Sequence, residues 1–122
     1  MPILEVTSRK SPSDVAAFTK RLSVVFAEQI GKDESLCLAT FRKADELVFA
    51  GTNEDAYLIR VSSIGHIEEE RNTRATKAIA AEMQKELGIG SDRGYILFTD
   101  FPAANIGHKD TTFKTILKEL GL

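Results

Sequence analysis

The sequence predicts an α/β fold: two tandem βαβ units whose two helices pack on one face of a mainly four-stranded mixed sheet. Three observations predict it. Two stretches carry apolar residues at helical spacing, and each is closed by a glycine, Gly31 or Gly88. Each helix is followed closely by a run of branched and aromatic residues of strand length. The runs read β-α-β-β-β-α-β, so each helix joins two strands that should lie parallel, with a right-handed crossover.

Ile3 to Thr7 forms the first strand-like run. Ser11-Pro12-Ser13-Asp14 then opens the first helix, with Ser11 as cap, Pro12 at the first helical position and Asp14 favouring the positive helix start. Val15, Phe18, Leu22, Val25, Phe26 and Ile30 make one apolar stripe up to Gly31. Leu36 to Phe41, Leu47 to Ala50 and Tyr57 to Ile64 read as strands. The second helix carries Ala75, Ala78, Ile79, Met83 and Leu87 on its inner face, and Glu68-Glu69-Glu70 supplies negative charge to its first turn. Tyr95 to Phe101 is the last main strand. The tail, Lys114 to Leu122, carries Ile116, Leu117, Leu120 and Leu122 and is expected to pack as a short added helix on a neighbouring subunit. Residues 1–122 form a single domain in which 114–122 are a C-terminal extension.

Two helices cover only one sheet face, yet Leu36-Cys37-Leu38-Ala39 and Tyr95-Ile96-Leu97-Phe98 are apolar at consecutive positions. Strands of that kind are buried on both faces. A chain of 122 residues lacks the material to cover both, so a homo-oligomer is expected.

The composition narrows the function classes. Sixteen basic against 18 acidic residues, net −2 and mixed along the chain, argue against a nucleic-acid footprint. The single Cys37 cannot make an internal disulfide, and no Cys/His spacing fits a metal site, so no metal or cofactor is expected. No window approaches the ~20 apolar residues of a membrane span, and the N-terminus lacks the apolar stretch of a secretory signal. The expected location is cytoplasmic, with no membrane insertion.

Several motifs have plain readings. The glycines of Gly88-Ile89-Gly90-Ser91-Asp92-Arg93-Gly94 follow a helix and not a strand, so they make a turn and not a phosphate loop. His66 and His108 stand without a Ser or Cys nucleophile in any local motif and read as loop histidines. Pro2 differs. Removal of Met1 leaves it a free secondary amine; an α-amino group has a pKa of about 7.7–8.0, and burial or a nearby cation lowers that. Such an amine takes a proton from carbon and returns it. From position alone, the start of an edge strand is the favoured reading of Pro2.

Gly31-Lys32, Phe49-Ala50-Gly51-Thr52, Val61-Ser62-Ser63-Ile64-Gly65, Asp92-Arg93-Gly94-Tyr95-Ile96, Pro102-Ala103-Ala104-Asn105-Ile106-Gly107 and Thr112-Phe113 add a second line of inference. With the Met-Pro start, they resemble the macrophage migration inhibitory factor and D-dopachrome tautomerase family over nearly the whole chain. The resemblance implies a homotrimer and cofactor-free keto–enol tautomerisation of a small aromatic α-keto acid or enol, such as phenylpyruvate or dopachrome. Pro2 would be the catalytic base and then acid, worth ~10²–10⁴-fold. Lys32 would pair with the substrate carboxylate and help keep the amine neutral. The Ile64 N–H, with Ser63 beside it, would hydrogen-bond a substrate oxygen. Tyr95, Ile106 and Phe113 would line the pocket, with Leu97 and Tyr95 supplied by a neighbouring subunit.

The alternative that the resemblance implies is a cytokine-like protein that binds a cell-surface receptor, exported without a signal peptide and retaining weak or vestigial activity. Leu36, Leu97 and His108 stand where the mammalian cytokine has a tyrosine, an asparagine and a tryptophan, which removes aromatic surface and a polar group from the rim. Ala56-Tyr57-Leu58-Ile59 replaces its CxxC, so no thiol–disulfide activity is expected.

Overall fold

The computed structural model describes residues 1–122. Strand β1 (Pro2–Ser8) leads to helix α1 (Val15–Ile30), a 3₁₀ turn (Glu34–Leu36), β2 (Leu38–Lys43), β3 (Tyr57–Ser63), α2 (Glu69–Leu87) and β4 (Gly94–Asp100). A second 3₁₀ turn (Ala103–Asn105), a small hairpin of β5 (Gly107–His108) and β6 (Thr111–Thr112), and helix α3 (Phe113–Glu119) complete the chain. The sheet order is β2-β1-β3-β4. Pairs β1–β2 and β3–β4 are parallel and β1–β3 is antiparallel, so the sheet is mixed and built from two βαβ units.

Alternation along the strands decides which face meets the helices. Leu4 and Val6 of β1 and Ile59 and Val61 of β3 are at most 1% exposed, while Glu5 and Arg60 between them are open to solvent. Phe18, Leu22, Phe26 and Ile30 of α1 and Ala75, Ile79, Met83 and Leu87 of α2 meet them in one core. Each large apolar side chain buried there contributes roughly 1.5–3 kcal/mol.

Both helices end as their glycines require. Gly31 has φ 71° and Gly88 φ 67°, in the left-handed region, and their N–H groups donate to the carbonyls of Ala27 and Gln84. The start of α1 differs from the expectation. Asp14, not Ser11, is the cap: its carboxylate accepts from the Ala17 N–H at 3.0 Å, and Pro12 lies before the helix. A carboxylate caps as well as a hydroxyl and adds a full negative charge at the positive helix end. Glu69 and Glu70 do occupy the first turn of α2.

Leu47 to Ala50 is not a strand. Phe49 and Thr52 exchange backbone bonds of 2.9 and 3.1 Å across a tight turn, with Ala50 at φ 53° and Gly51 at φ 77°. No neighbouring strand is available to this short run. Arg93 holds the loop instead, donating to the carbonyls of Glu54 at 3.0 Å, Asp55 at 3.2 Å and Phe49 at 3.3 Å, and to Thr52 Oγ1 at 3.2 Å. Its guanidinium lies 4.9 Å from the centre of the Phe49 ring. The second strand also starts later than expected, because Glu34–Leu36 turns under an Asp33 cap.

The sheet face away from the helices stays open in a single chain. Leu38 is 54% exposed, Tyr95 66% and Leu97 43%. The consecutive apolar residues of β2 and β4 therefore do cover two faces, one of them without a partner within the chain.

Candidate active site

Three chain segments meet at one end of the sheet. In the antiparallel ladder Pro2, at the start of β1, lies opposite Ser63, at the end of β3. The crossover through α1 brings Gly31-Lys32 back to the same corner, where the Lys32 ammonium donates to the Ile64 carbonyl at 2.7 Å. Strand geometry orients the remaining group. The Ser63 carbonyl accepts from the Phe101 N–H at 2.8 Å, on the side of β4, so the next residue turns its backbone groups toward β1. The Ile64 N–H thus faces the side on which Pro2 and Lys32 lie.

A cleft of about 270 Å³ opens beside this corner, lined by Met1, Pro2, Ile3, Ser35, Leu36, Leu38, Ile106, Gly107, His108 and Phe113. The β5–β6 hairpin forms one wall. Lys109 (φ 52°) and Asp110 (φ 63°) make its left-handed turn, and the Phe113 N–H donates to the Ile106 carbonyl at 2.9 Å. His108 stacks on Phe113 with ring centres 5.4 Å apart and planes 4° from parallel. The wall is therefore flat and mostly apolar.

The charges follow from burial. The Met1 amine, one residue before β1, is held below its usual value of 8.0, first by burial and then by the Lys32 ammonium, against an opposing effect of Cys37. Lys32 is itself pulled below 10.5 by burial, while Cys37 and Asp100 act to raise it. Burial pushes the Cys37 thiol up, which favours its neutral form. At this corner, beside a cation and at the edge of an apolar cleft, the neutral form of an amine is favoured over its ordinary balance.

The structure brings some of the anticipated residues together and separates others. Pro2, Ile106 and Phe113 line the cleft; Lys32 and Ile64 do not line it and meet each other at the end of the sheet where β1 starts. Ser63 is fully buried on the helix-covered face, its hydroxyl without a hydrogen-bond partner, and does not line the cleft. Tyr95 and Leu97 lie on the open sheet face, opposite Leu58 and Arg60, with two strands between them and β2. Phe49 packs edge-on against the Tyr95 ring at 5.2 Å. His66 is a loop residue whose Nδ1 lies 2.7 Å from the Ile30 carbonyl at the end of α1.

Ile3, Ser35, Leu38 and Gly107 are cleft residues that sequence reasoning did not single out. Strand alternation offered one signal, since Ile3 and Leu38 are direct neighbours in the β1–β2 register and point away from the core together. No helix is long and apolar enough to cross a membrane.

Comparison with known proteins agrees with this architecture. Residues 1–114 match the family model described as macrophage migration inhibitory factor. The chain is 33% identical to the MIF-like protein of Caenorhabditis elegans over 116 residues, covering 92% of this chain and 94% of that one. It is 31% identical to the macrophage migration inhibitory factor of Mus musculus over 115 residues, covering 93% and 99%. Among solved structures, the homologue from Prochlorococcus marinus superimposes with a TM-score of 0.85 at 26% identity, covering 91% of this chain and 98% of that one. The chain therefore belongs to the macrophage migration inhibitory factor family of the tautomerase superfamily.

Proposed function

We propose that the chain is a cofactor-independent keto–enol tautomerase acting on a small aromatic α-keto acid or enol of the phenylpyruvate or dopachrome type. The observation that carries this reading is the corner itself: the start of β1 in an apolar cleft, with the Lys32 ammonium and the Ile64 N–H on the same side. With Met1 attached, the Pro2 nitrogen is an amide. Its removal creates a secondary amine one residue on from the Met1 amine that burial and Lys32 hold below its ordinary value.

The neutral Pro2 amine takes the proton from the carbon next to the substrate carbonyl, and the electron pair of that C–H bond moves into the enolate. The resulting ammonium delivers the proton to the enolate oxygen, which gives the enol and restores the neutral amine; ketonisation runs the same two transfers in reverse. Lys32 pairs with the substrate carboxylate, and the Ile64 N–H donates to a substrate oxygen whose charge grows in the transition state. Ile106, Phe113 and His108 form the wall on which the ring packs.

Tyr95 and Leu97 reach such a cleft only from another copy, and we assign the homotrimer on that ground together with the open apolar sheet face. Replacing Pro2 by Gly, in protein whose loss of Met1 is verified by mass spectrometry, is expected to abolish phenylpyruvate enolisation. Unchanged turnover would overturn the assignment.

A further inference from the structure

We propose that Asp100, which touches neither the cleft nor the reacting atoms, is a positioning residue that locks the Ile64–Gly65 peptide through a hydrogen bond to Gly65 and so fixes the Ile64 carbonyl on which the Lys32 ammonium rests. The inference rests on the tautomerase reading and assigns the part of the site that organises its substrate-carboxylate end.

The geometry is a pair of opposed anchors on adjacent residues. Lys32 Nζ donates to the Ile64 carbonyl at 2.7 Å, and the next backbone group along, the Gly65 N–H, donates to Asp100 Oδ1 at 2.9 Å. A cation from the end of α1 and a carboxylate from the end of β4 thus grip one turn from its two sides. The turn needs such a grip, because it is built from two successive left-handed residues, Gly65 at φ 71° and His66 at φ 61°. A non-glycine residue there costs roughly 1–2 kcal/mol relative to a right-handed conformation. His66 Nδ1 against the Ile30 carbonyl closes the far side of the turn. Released from Asp100, the Ile64–Gly65 peptide rotates, and the Ile64 carbonyl that holds Lys32 rotates with it, while the Ile64 N–H stays fixed by the bond between the Ser63 carbonyl and the Phe101 N–H.

Asp100 has a second effect on the same end of the site. The charged and titratable groups around Lys32 are the Met1 amine, Cys37 beyond the first 3₁₀ turn, Asp33 next in the chain, His66 and Arg71 beside Gly31, and Asp100 on β4. Of these, Cys37 is held toward its neutral thiol, which leaves Asp100 as the carboxylate that favours the Lys32 ammonium against its burial.

The test uses Met-processed protein carrying Asp100→Ala or Asp100→Asn. Asparagine keeps an acceptor oxygen for Gly65 and removes the charge, whereas alanine removes both, so the difference between the two isolates the hydrogen bond. Asp100→Ala is expected to speed amide exchange at Gly65 by about fivefold and to raise the KM for phenylpyruvate by about five- to tenfold over Asp100→Asn, with kcat within about twofold; the range is that of one hydrogen bond to a charged group at a solvent-exposed position. Both variants are expected to move the titration of Lys32 Nζ, followed by nitrogen NMR, to lower pH. Equal KM values for the two variants, or Gly65 exchange unchanged in Asp100→Ala, would overturn the proposal. If the unsubstituted protein failed to enolise phenylpyruvate, the tautomerase reading would fall. Gly65 exchange and the Lys32 titration would then still decide whether Asp100 locks the turn.

Discussion

Lys32 is the residue whose replacement separates the two things a cation does beside a basic amine. Its ammonium already spends one of three N–H donors on the Ile64 carbonyl at 2.7 Å, which leaves two for a substrate carboxylate. A hydrogen bond between charged partners contributes roughly 1.5–3 kcal/mol, and the half-buried position of Lys32 argues for the lower end because solvent screens the pair. About 1.5 kcal/mol corresponds to roughly tenfold in KM. Lys32→Gln is the informative change, since glutamine keeps an N–H donor while losing the charge. The second effect is on pH. Burial and Lys32 lower the Met1 amine, and the Pro2 amine exposed in its place faces the same cation; removing Lys32 is expected to raise it, and the acid limb of kcat/KM, which follows the neutral amine, to move to higher pH. The alkaline limb set by Lys32, itself depressed below 10.5, disappears. Enolisation of phenylpyruvate followed from about pH 5 to 10 reads both. A variant with unchanged KM and an unmoved acid limb would refute the placement of Lys32 at the carboxylate and beside the base.

Gly31→Ala places a Cβ in a left-handed residue and 2.5 Å from Arg71 Nη1, which must swing away from the Gln29 carbonyl; a loss of about 1–2 kcal/mol is expected from the urea midpoint at fixed protein concentration. Arg93→Ala removes four loop hydrogen bonds and the contact over Phe49, and hydrogen exchange is expected to speed across residues 49–56 while the α1 core amides hold; unchanged exchange there would show that the loop orders itself. Leu97→Arg sets a second cation against Arg60 on the open sheet face and is expected to reduce the mass in sedimentation from three chains to one, whereas an intact trimer would remove Leu97 from the interface.

How much of this the sequence discloses depends on how local each decision is. The ends of both helices are legible because a glycine in the left-handed region is a one-residue event, fixed at Gly31 and Gly88 whatever surrounds them. The cap of α1 is less so, since Ser11, Ser13 and Asp14 all suit a cap and only the helix register chooses Asp14. Leu47 to Ala50 has strand composition, but a strand exists only with a partner, and here Arg93, more than forty residues away in sequence, takes the Phe49 carbonyl instead. Pro2, Lys32 and Ile64 emerge from resemblance and not from spacing. The wall of the cleft was hidden for the same reason: a hairpin of four strand residues folds back over the N-terminus, and neither Leu38 nor Gly107 carries a mark of that in its neighbours.

The topology explains why three distant residues converge. A helix that returns the chain to a parallel strand runs antiparallel to the strands, so its C-terminus lies at the start of the strand that precedes it. An antiparallel neighbour ends at that same place. The β-α-β-β order therefore brings the start of β1, the end of α1 and the end of β3 to one corner. The second βαβ unit repeats the arrangement at the opposite end, where Gly88 closes α2 near the start of β3. There the residue after the glycine is Ile89, 2% exposed and part of the core, and the corner is sealed. At the first corner the same step in the chain is Lys32, too costly to bury unpaired, so its ammonium stays at the surface on the Ile64 carbonyl and the corner stays open. One residue after the helix-ending glycine thus separates a packed corner from one able to hold an anion beside an amine. Lys32→Ile should accordingly draw the first corner toward the closed state of the second, losing binding of anionic substrates while leaving the fold at least as stable in urea; a variant that binds phenylpyruvate as before would break this equivalence.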